Sequence, residues 1–258
     1  MTVSTAPPAT LRPASTLAEL VEIMRRLRDP EAGCAWDRAQ SFETIAPYTV
    51  EEAYEVADAI RRGDMAELAD ELGDLQLQVV YHARIAEELG HFTIDDVIAA
   101  ICAKMIRRHP HVFGDAESPG WEALKAAERG HRDDPSALAG VALALPALKR
   151  AEKLQRRAAR VGFDWPDAAG PRAKIDEELA EIDAAADADE RAAEIGDLLF
   201  SVVNYARHLD IDPEAALRDA SGRFERRFRK VEAIADRPLA EMDIDALETL
   251  WQRAKRET

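Results

Sequence analysis

Two groups of acidic residues in the second half of the chain have the residue types and the spacing of a divalent-cation site. The segment EELAE carries Glu178 and Glu181 three residues apart, and EIGD carries Glu194 and Asp197 with the same spacing. Residues three apart on a helix lie on neighbouring turns of one face. Clustered carboxylates repel each other unless a cation lies between them, and oxygen ligands suit a hard ion such as Mg²⁺. The expected chemistry is binding of Mg²⁺ together with the phosphate groups that this ion prefers.

The apolar residues around these carboxylates predict two antiparallel helices. A stripe at three-and-four spacing follows Glu194 and consists of Ile195, Leu198, Leu199, Val202, Val203, Ala206 and Leu209. A shorter stripe of Ile175, Leu179 and Ile182 accompanies the first acidic pair. The segment 187–190 between them is short and polar, so we expect the helices to fold back on each other with both acidic pairs facing. The long stripe predicts a packed amphipathic helix.

The acidic arrangement occurs twice in the chain. EEAYE at 51–55 and ELGD at 71–74 supply a second set, namely Glu52, Glu55, Glu71 and Asp74. The offsets are 126 residues from Glu52 to Glu178 and 123 from Asp74 to Asp197. Two further cations, Lys104 and Arg108, align with Arg223 and Arg227 at an offset of 119. A solvated acidic face is the alternative for one cluster, but the repetition favours a duplicated domain with a metal site.

Composition excludes several classes of protein. The 258 residues include 34 basic and 50 acidic ones, a formal charge of −16, which argues against a general nucleic-acid surface. Cys34 and Cys102 are the only cysteines, so neither a disulfide framework nor a cysteine-rich metal site is expected. No apolar run reaches the roughly twenty residues of a membrane span, and the start of the chain lacks the order of a signal peptide. We expect a cytoplasmic protein without a membrane partner.

Helical periodicity without sustained strand alternation predicts an all-α fold of two tandem helical bundles. The predicted divisions are a disordered tail at 1–14, an N-terminal domain at 15–113, a linker at 114–145 and a C-terminal domain at 146–258. The linker is irregular apart from a short helical piece containing Trp121. In the first domain the acidic helix pair is expected at 48–62 and 66–89, with Gly90 at its end.

Two local features have structural interpretations. Trp36 follows Pro30 and Gly33, and a buried aromatic plug is the expectation because indole buries a large apolar area. Glu88 and His91 fit the Glu-x-x-His spacing of di-iron helix bundles. Since Gly90 lies directly before the histidine, this spacing marks a helix end, and we do not expect iron there.

Metal-binding carboxylates near arginines on a neighbouring helix favour a polyphosphate ester as ligand. Arg223 and Arg227 lie one turn apart and offer fork-shaped donors to phosphate oxygens. The chain has no glycine-rich phosphate loop, so a P-loop enzyme is excluded. Glu177 lies beside Glu178 but is turned by about 100° on the helix, which suits a general base or a supporting role.

Several motifs together resemble those of the MazG family of tandem-domain bacterial nucleoside triphosphate pyrophosphohydrolases. They are LRDPEAGCAWDRAQSFETIAPYTVEEAYEVADAI, ELGDL, RRHPHVF, VGFDW, EIGDLLFSVVNYARHL and FERRFRKVE. The resemblance covers nearly the whole chain from about Leu17 to Lys255. It implies an all-α fold, a homodimer, and Mg²⁺-dependent hydrolysis of NTPs and dNTPs to monophosphate and pyrophosphate, with broad base tolerance.

The resemblance also assigns roles, with the C-terminal copy as the hydrolytic one. Glu178, Glu181, Glu194 and Asp197 are then the Mg²⁺ ligands. The triphosphate and nucleotide contacts are Lys174, Arg223, Arg226, Arg227 and Trp251. The chain has arginine at position 223, where lysine is common in the family, so the charge is kept while the phosphate geometry differs.

The N-terminal copy leaves alternatives open. Its four carboxylates, Glu52, Glu55, Glu71 and Asp74, are complete, and with Lys104 and Arg108 they form a candidate second site. Gln76 and Gln78 stand where the later copy has Leu199 and Ser201, which makes the contact surface between the two helices of this copy more polar. This copy is therefore either a second site or a non-catalytic module for nucleotide binding or dimerisation. A purely structural scaffold with solvated acidic faces is the third hypothesis.

Overall fold

The computed structural model describes residues 16–114 and 134–257, and every regular element in these ranges is helical. The all-α class expected from the sequence is confirmed. The chain divides into two compact units, Met1–Leu124 and Lys125–Thr258. The tail at 1–14 and the piece around Trp121 lie outside the described residues. No helix in the described ranges is long and apolar enough to cross a membrane.

Six helices are described in the N-terminal unit, and the acidic pair forms its centre. They are α1 (Leu17–Leu27), α2 (Ala35–Arg38), α3 (Phe42–Arg62), α4 (Met65–Glu88), α5 (Ile94–Arg108) and α6 (Pro110–Phe113). Helices α3 and α4 pack along each other, and α1 and α5 pack on α4. The turn between α3 and α4 is short because Gly63 adopts a left-handed conformation (φ 69°) and Asp64 caps α4.

Helix α3 begins six residues earlier than the expected start at residue 48. Ser41 accepts a hydrogen bond from the backbone N–H of Thr44, and the Thr44 side chain accepts one from the N–H of Ser41. This capping box starts the helix, and Pro47 is accommodated inside it. The expectation at Gly90 is confirmed, since this residue has φ 74° and the N–H of His91 reaches the carbonyl of Ala86.

The core of the N-terminal unit lies between α1, α3 and α4. Its buried members are Met24, Ile45, Val80, Tyr81 and Ile85. The hydroxyl of Tyr81 donates to the carboxylate of Asp37 at 3.1 Å, so the one polar atom of this ring has a partner. Burial, opposed by the nearby Arg28 guanidinium, raises the pKa of Tyr81 to about 12.

Glu88 forms an ion pair, and Trp36 lies at the surface and not in the core. The buried guanidinium of Arg28 donates to Glu88 at 2.7 Å, so this carboxylate ends α4 in an ion pair. Trp36 is 54% exposed and meets Tyr48 edge-on at 6.5 Å. The expectation that Trp36 is buried is therefore wrong. Its short helix α2 has only four residues and holds the ring at the surface of the unit.

Five α-helices are described in the C-terminal unit, besides a 3₁₀-helix at Leu239–Glu241. They are α7 (Ala147–Ala159), α8 (Ala169–Ala184), α9 (Ala188–His208), α10 (Pro213–Ile234) and α11 (Ile244–Glu257). Helices α8 and α9 form the predicted acidic pair, and α7 packs on α9 and α10, while α11 packs on α10. Asp187 caps α9 by accepting the N–H of Glu190, which ends the polar connection between the paired helices.

The long apolar stripe of α9 is only partly covered. Val203 is almost fully buried, but Ile195, Leu199 and Val202 are each about half exposed. The helix is packed, as expected, along one side of its stripe only, because α7, α8 and α10 leave the rest of the apolar face uncovered in the single chain. The equivalent positions of α4 behave alike, with Leu72 and Val79 also exposed.

An ion-pair cluster fixes the turn after α7 to the end of α9. The carboxylate of Asp164 accepts hydrogen bonds from Arg207 and lies 3.1 Å from Nε2 of His208. The hydrogen bond from Arg207 lowers the pKa of Asp164 to about 2. Because the folded-state pKa lies below the value of about 4 for an unfolded chain, this carboxylate stabilises the fold above pH 4.

Replacing Asp164 should therefore cause a pH-dependent loss of stability. We expect Asp164→Asn to lower the free energy of unfolding by about 1–2 kcal/mol at neutral pH, since the side chain is partly exposed. The difference from the wild type should shrink as the pH falls from about 4 to about 2, measured by urea unfolding. Asp219→Asn, an exposed aspartate on α10, is the control, and a pH-independent difference at Asp164 would contradict the assignment.

Candidate metal and phosphate site

Three carboxylates from two helices meet in the C-terminal unit. Glu178 of α8 and Glu194 and Asp197 of α9 can place one oxygen each so that all three lie within 4.8 Å of one another. Glu178 is buried, whereas Asp197 is exposed, so the group lies at the open edge of the helix pair. Carboxylate oxygens at this separation fit a hard cation such as Mg²⁺, because this ion takes oxygen ligands and fills its remaining positions with water.

Glu181 lies beside this group but does not belong to the set of three. The pKa of its carboxyl is raised, first by burial, then by a hydrogen bond with Glu178 and by the charges of Glu178 and Glu194. Such mutual repulsion is the cost that a bound cation would remove. The four-carboxylate ligand set expected from the sequence remains a prediction, with three of its members gathered here.

Lys174 interacts directly with the buried member of the cluster. Its Nζ lies 2.6 Å from Oε1 of Glu178 and 3.0 Å from Oε1 of Glu177. These hydrogen bonds raise the pKa of Lys174 above its ordinary value. The ammonium group therefore neutralises Glu178 within α8 itself, a role that the spacing of four residues between them could have indicated.

The N-terminal unit carries a comparable group without such a lysine. Oxygens of Glu52, Glu55 and Glu71 can lie within 4.8 Å of one another. Burial and then the charges of neighbouring carboxylates raise the pKa values of Glu52 and Glu71. Tyr48 occupies the position equivalent to Lys174 at the offset of 126.

Gln78 forms a hydrogen bond to this group of carboxylates, a contact that the sequence did not indicate. Its Nε2 donates to Oε1 of Glu52 at 3.3 Å from a buried position on α4. Glu52 therefore contacts a neutral amide of the neighbouring helix, whereas its counterpart Glu178 contacts the ammonium group of Lys174. Asp74 is the carboxylate that lies outside the set of three in this unit.

The expected phosphate-binding residues lie on the last two helices. Arg223, Arg226 and Arg227 are on α10, and no ion pair joins them to a carboxylate within the described part of the chain. Their guanidinium groups are thus available to an anion. Trp251 of α11 packs against Phe224 of α10 with ring centroids 5.3 Å apart, and Phe224 directly follows Arg223 in the chain. Lys104 and Arg108 lie on α5 in the other unit.

Comparison with known proteins covers almost the entire chain. The model of the MazG nucleotide pyrophosphohydrolase domain matches residues 40–113. The Nucleoside triphosphate pyrophosphohydrolase of Escherichia coli K12 is 47% identical over 253 residues, which covers 92% of this chain and 96% of the relative. The MazG protein of Thermotoga maritima, named a nucleoside triphosphate pyrophosphohydrolase/pyrophosphatase, is 48% identical over 245 residues, with 92% and 94% covered. YabN of Bacillus subtilis is 42% identical, and half of its length is matched.

In each unit, carboxylates from two paired helices come together, and every described element is helical. Together with relatives that are named nucleoside triphosphate pyrophosphohydrolases, this places the chain in the class of all-α pyrophosphohydrolases. The high identity over nine-tenths of both chains settles the more specific relationship. This chain belongs to the MazG nucleotide pyrophosphohydrolase family. The family resemblance and the enzyme class expected from the sequence are confirmed.

Proposed function

We propose that this enzyme hydrolyses nucleoside and deoxynucleoside triphosphates to monophosphate and pyrophosphate at a Mg²⁺ site in its C-terminal unit. The observation that carries this proposal is the group of Glu178, Glu194 and Asp197 beside Lys174. These three carboxylates would hold the cation, with Glu181 next to them. When bound, Mg²⁺ neutralises phosphate charge and polarises the anhydride that is cleaved.

The protein side chains supply binding and proton transfer. Arg223, Arg226 and Arg227 would pair with the triphosphate, and Lys174 would exchange part of its contact with Glu178 for a phosphate oxygen. Hydrolysis breaks the anhydride bond between the α and β phosphates and adds the oxygen of one water to a product. Glu177 would accept the proton of this water, since its carboxylate is exposed and its Oε1 lies 3.0 Å from Nζ of Lys174, beside the cluster.

The test of this proposal is a release assay over a panel of NTPs and dNTPs. We expect pyrophosphate but little orthophosphate, activity with several bases, and loss of activity on adding a chelator. Restoration by Mg²⁺ after chelation is the control for irreversible damage. Orthophosphate as the main product, or turnover in excess chelator, would refute the reaction or the metal requirement.

A second function is favoured for the N-terminal unit by its site residues. Tyr48 stands in place of Lys174, and Glu52, the counterpart of Glu178, contacts the neutral amide of Gln78. We propose that this unit binds nucleotide or mediates dimerisation without catalysis. Comparing pyrophosphate release by full-length Glu52→Gln with that by Glu178→Gln tests the division, because a catalytic N-terminal site would make the first variant the slower one.

The same proposal includes a homodimer that works in the cytoplasm. Exposed apolar residues recur at equivalent positions of α4 and α9, namely Leu72, Val79, Ile195 and Val202, and a second copy would remove them from water. Sedimentation equilibrium that gives only the monomer mass at micromolar concentration would refute the dimer.

Both cysteines are free thiols, which fits a reducing compartment. Removal of excess or non-canonical nucleotides, linked to stress, is the cellular role that follows from this activity.

A further inference from the structure

An apolar groove of about 410 Å³ lies in the C-terminal unit between the first half of α7 and the middle of α9. The segment that precedes α7 borders one side of it with Leu143, whose side chain is 83% exposed. Pockets of this size with apolar walls and few polar groups are typical of sites for small organic ligands. The other apolar walls are Leu148 and Leu154 of α7 and Leu199, Phe200 and Val203 of α9.

Arg150 of α7 is the one charged side chain among the described residues that line this groove. It is partly buried, and its Nε is shielded from solvent without a hydrogen-bond acceptor. No carboxylate or carbonyl group of the described residues pairs with its guanidinium group. Because a charge that loses water without gaining a partner is costly, this cation indicates an anion that the chain itself does not supply.

The neighbouring arginines of α7 are paired within the chain. Arg156 donates to the carboxylate of Glu152 at 2.7 Å, and Arg157 donates to the carbonyl of Ala139 at 2.7 Å. The lack of a partner is therefore particular to the arginine that borders the groove.

The wall that α9 contributes differs from its counterpart in the first copy of the domain. At the offset of 123, Leu199 corresponds to the polar Gln76. Phe200 is 44% exposed, whereas its counterpart Leu77 packs against the buried core of the N-terminal unit. An apolar surface that served only the fold would be expected in both copies, so the difference favours a binding role for the groove.

The groove and the acidic cluster occupy different sides of α9. Gly196, Leu199 and Val203 all line the groove, and their spacing of three and four residues places them on one side of the helix. Asp197 directly follows Gly196 and is therefore turned by about 100° from it. A ligand in the groove would not compete with a cation for the carboxylates.

We propose that this groove binds a small organic monoanion, namely a carboxylate with a hydrocarbon body, whose head group pairs with Arg150. The guanidinium group offers parallel N–H donors that match the two oxygens of a carboxylate. A phosphate monoester carries a charge of about −1.5 to −2, which one arginine would leave partly uncompensated beside apolar walls. The inference does not depend on the proposed reaction, since the groove contains none of the residues assigned to it.

The experiment is a calorimetric titration of the full-length protein with octanoate, in the absence of nucleotide and Mg²⁺. We expect saturable binding to the wild type. Arg150→Met removes the charge but keeps the length of the side chain, and it should weaken binding about tenfold or more. Arg218→Met, the same exchange at an exposed position of α10, is the matched control and should bind octanoate like the wild type.

A second variant tests the apolar wall. Leu199→Gln introduces the residue of the first copy at a half-exposed position, so the fold should tolerate it. It should weaken octanoate binding while Arg150 is intact, because the hydrocarbon body loses part of its contact. Circular dichroism checks that every variant is folded.

Two further ligands separate the contribution of the head group from that of the tail. 1-Octanol has the same tail without a charge, and acetate has the head group without the tail, so each should bind about tenfold or more weakly than octanoate. Equal binding of octanol and octanoate, or wild-type affinity in folded Arg150→Met, would overturn the assignment. Failure of the wild type to bind octanoate would also overturn it, and a shift from dimer to monomer in Arg150→Met would then identify the groove as an interface between two copies of this chain.

Discussion

Glu178→Gln should lower pyrophosphate release by about 10²–10³-fold while the protein stays folded. Glu178 is the buried carboxylate of the three that meet between α8 and α9. An amide keeps the size of the side chain but removes the charge that attracts the cation, so metal binding and catalysis weaken together. The variant should need far more Mg²⁺ to reach its residual rate, and a Mg²⁺ titration of pyrophosphate release measures this shift.

The control for this prediction lies on the same helix. Asp176 is exposed and forms an ion pair with Arg172 on the outer side of α8. Asp176→Asn removes one negative charge two residues away and should leave turnover unchanged. Wild-type turnover in Glu178→Gln would show that the chemistry takes place elsewhere, and loss in both variants would show a general effect of charge.

Lys174→Met should weaken both catalysis and the stability of the C-terminal unit, and Mg²⁺ should restore part of the stability. Without the ammonium group, Glu178 is left as a buried carboxylate whose cation is missing. Breaking a fully buried pair costs about 3–5 kcal/mol, but Lys174 is 36% exposed, so we expect a loss of about 1–2 kcal/mol. We also expect KM for triphosphate to rise about tenfold, because one phosphate contact is lost.

The decisive observation is the difference in metal response between variant and wild type. Bound Mg²⁺ would replace the missing positive charge, so it should raise the melting temperature of Lys174→Met more than that of the wild type. Lys153→Met, at an exposed position of α7, is the matched control. Equal stabilisation of the variant and the wild type by Mg²⁺ would contradict the role of Lys174 as the cation that neutralises Glu178.

Local sequence signals predicted most of the helices and the doubling of the domain. Helix α10 runs over Pro213–Ile234, because proline is favoured in the first turn and Asp212 supplies the cap, both of which are legible in the sequence. Gly90 ends α4 in a left-handed conformation that glycine adopts without strain. The start of α3 lies six residues before the expected one, because the capping box at Ser41 begins the helix there and Pro47 is accommodated inside it.

The sequence by itself therefore determined the all-α class, the two copies and the acidic pairs, since helix formation, capping and i,i+3 spacing are local properties of the chain. Only the tertiary structure decided which carboxylates share one space and how much of the α9 stripe remains exposed. These features depend on how side chains from different helices fill a common volume, and volume is set by packing between segments far apart in sequence.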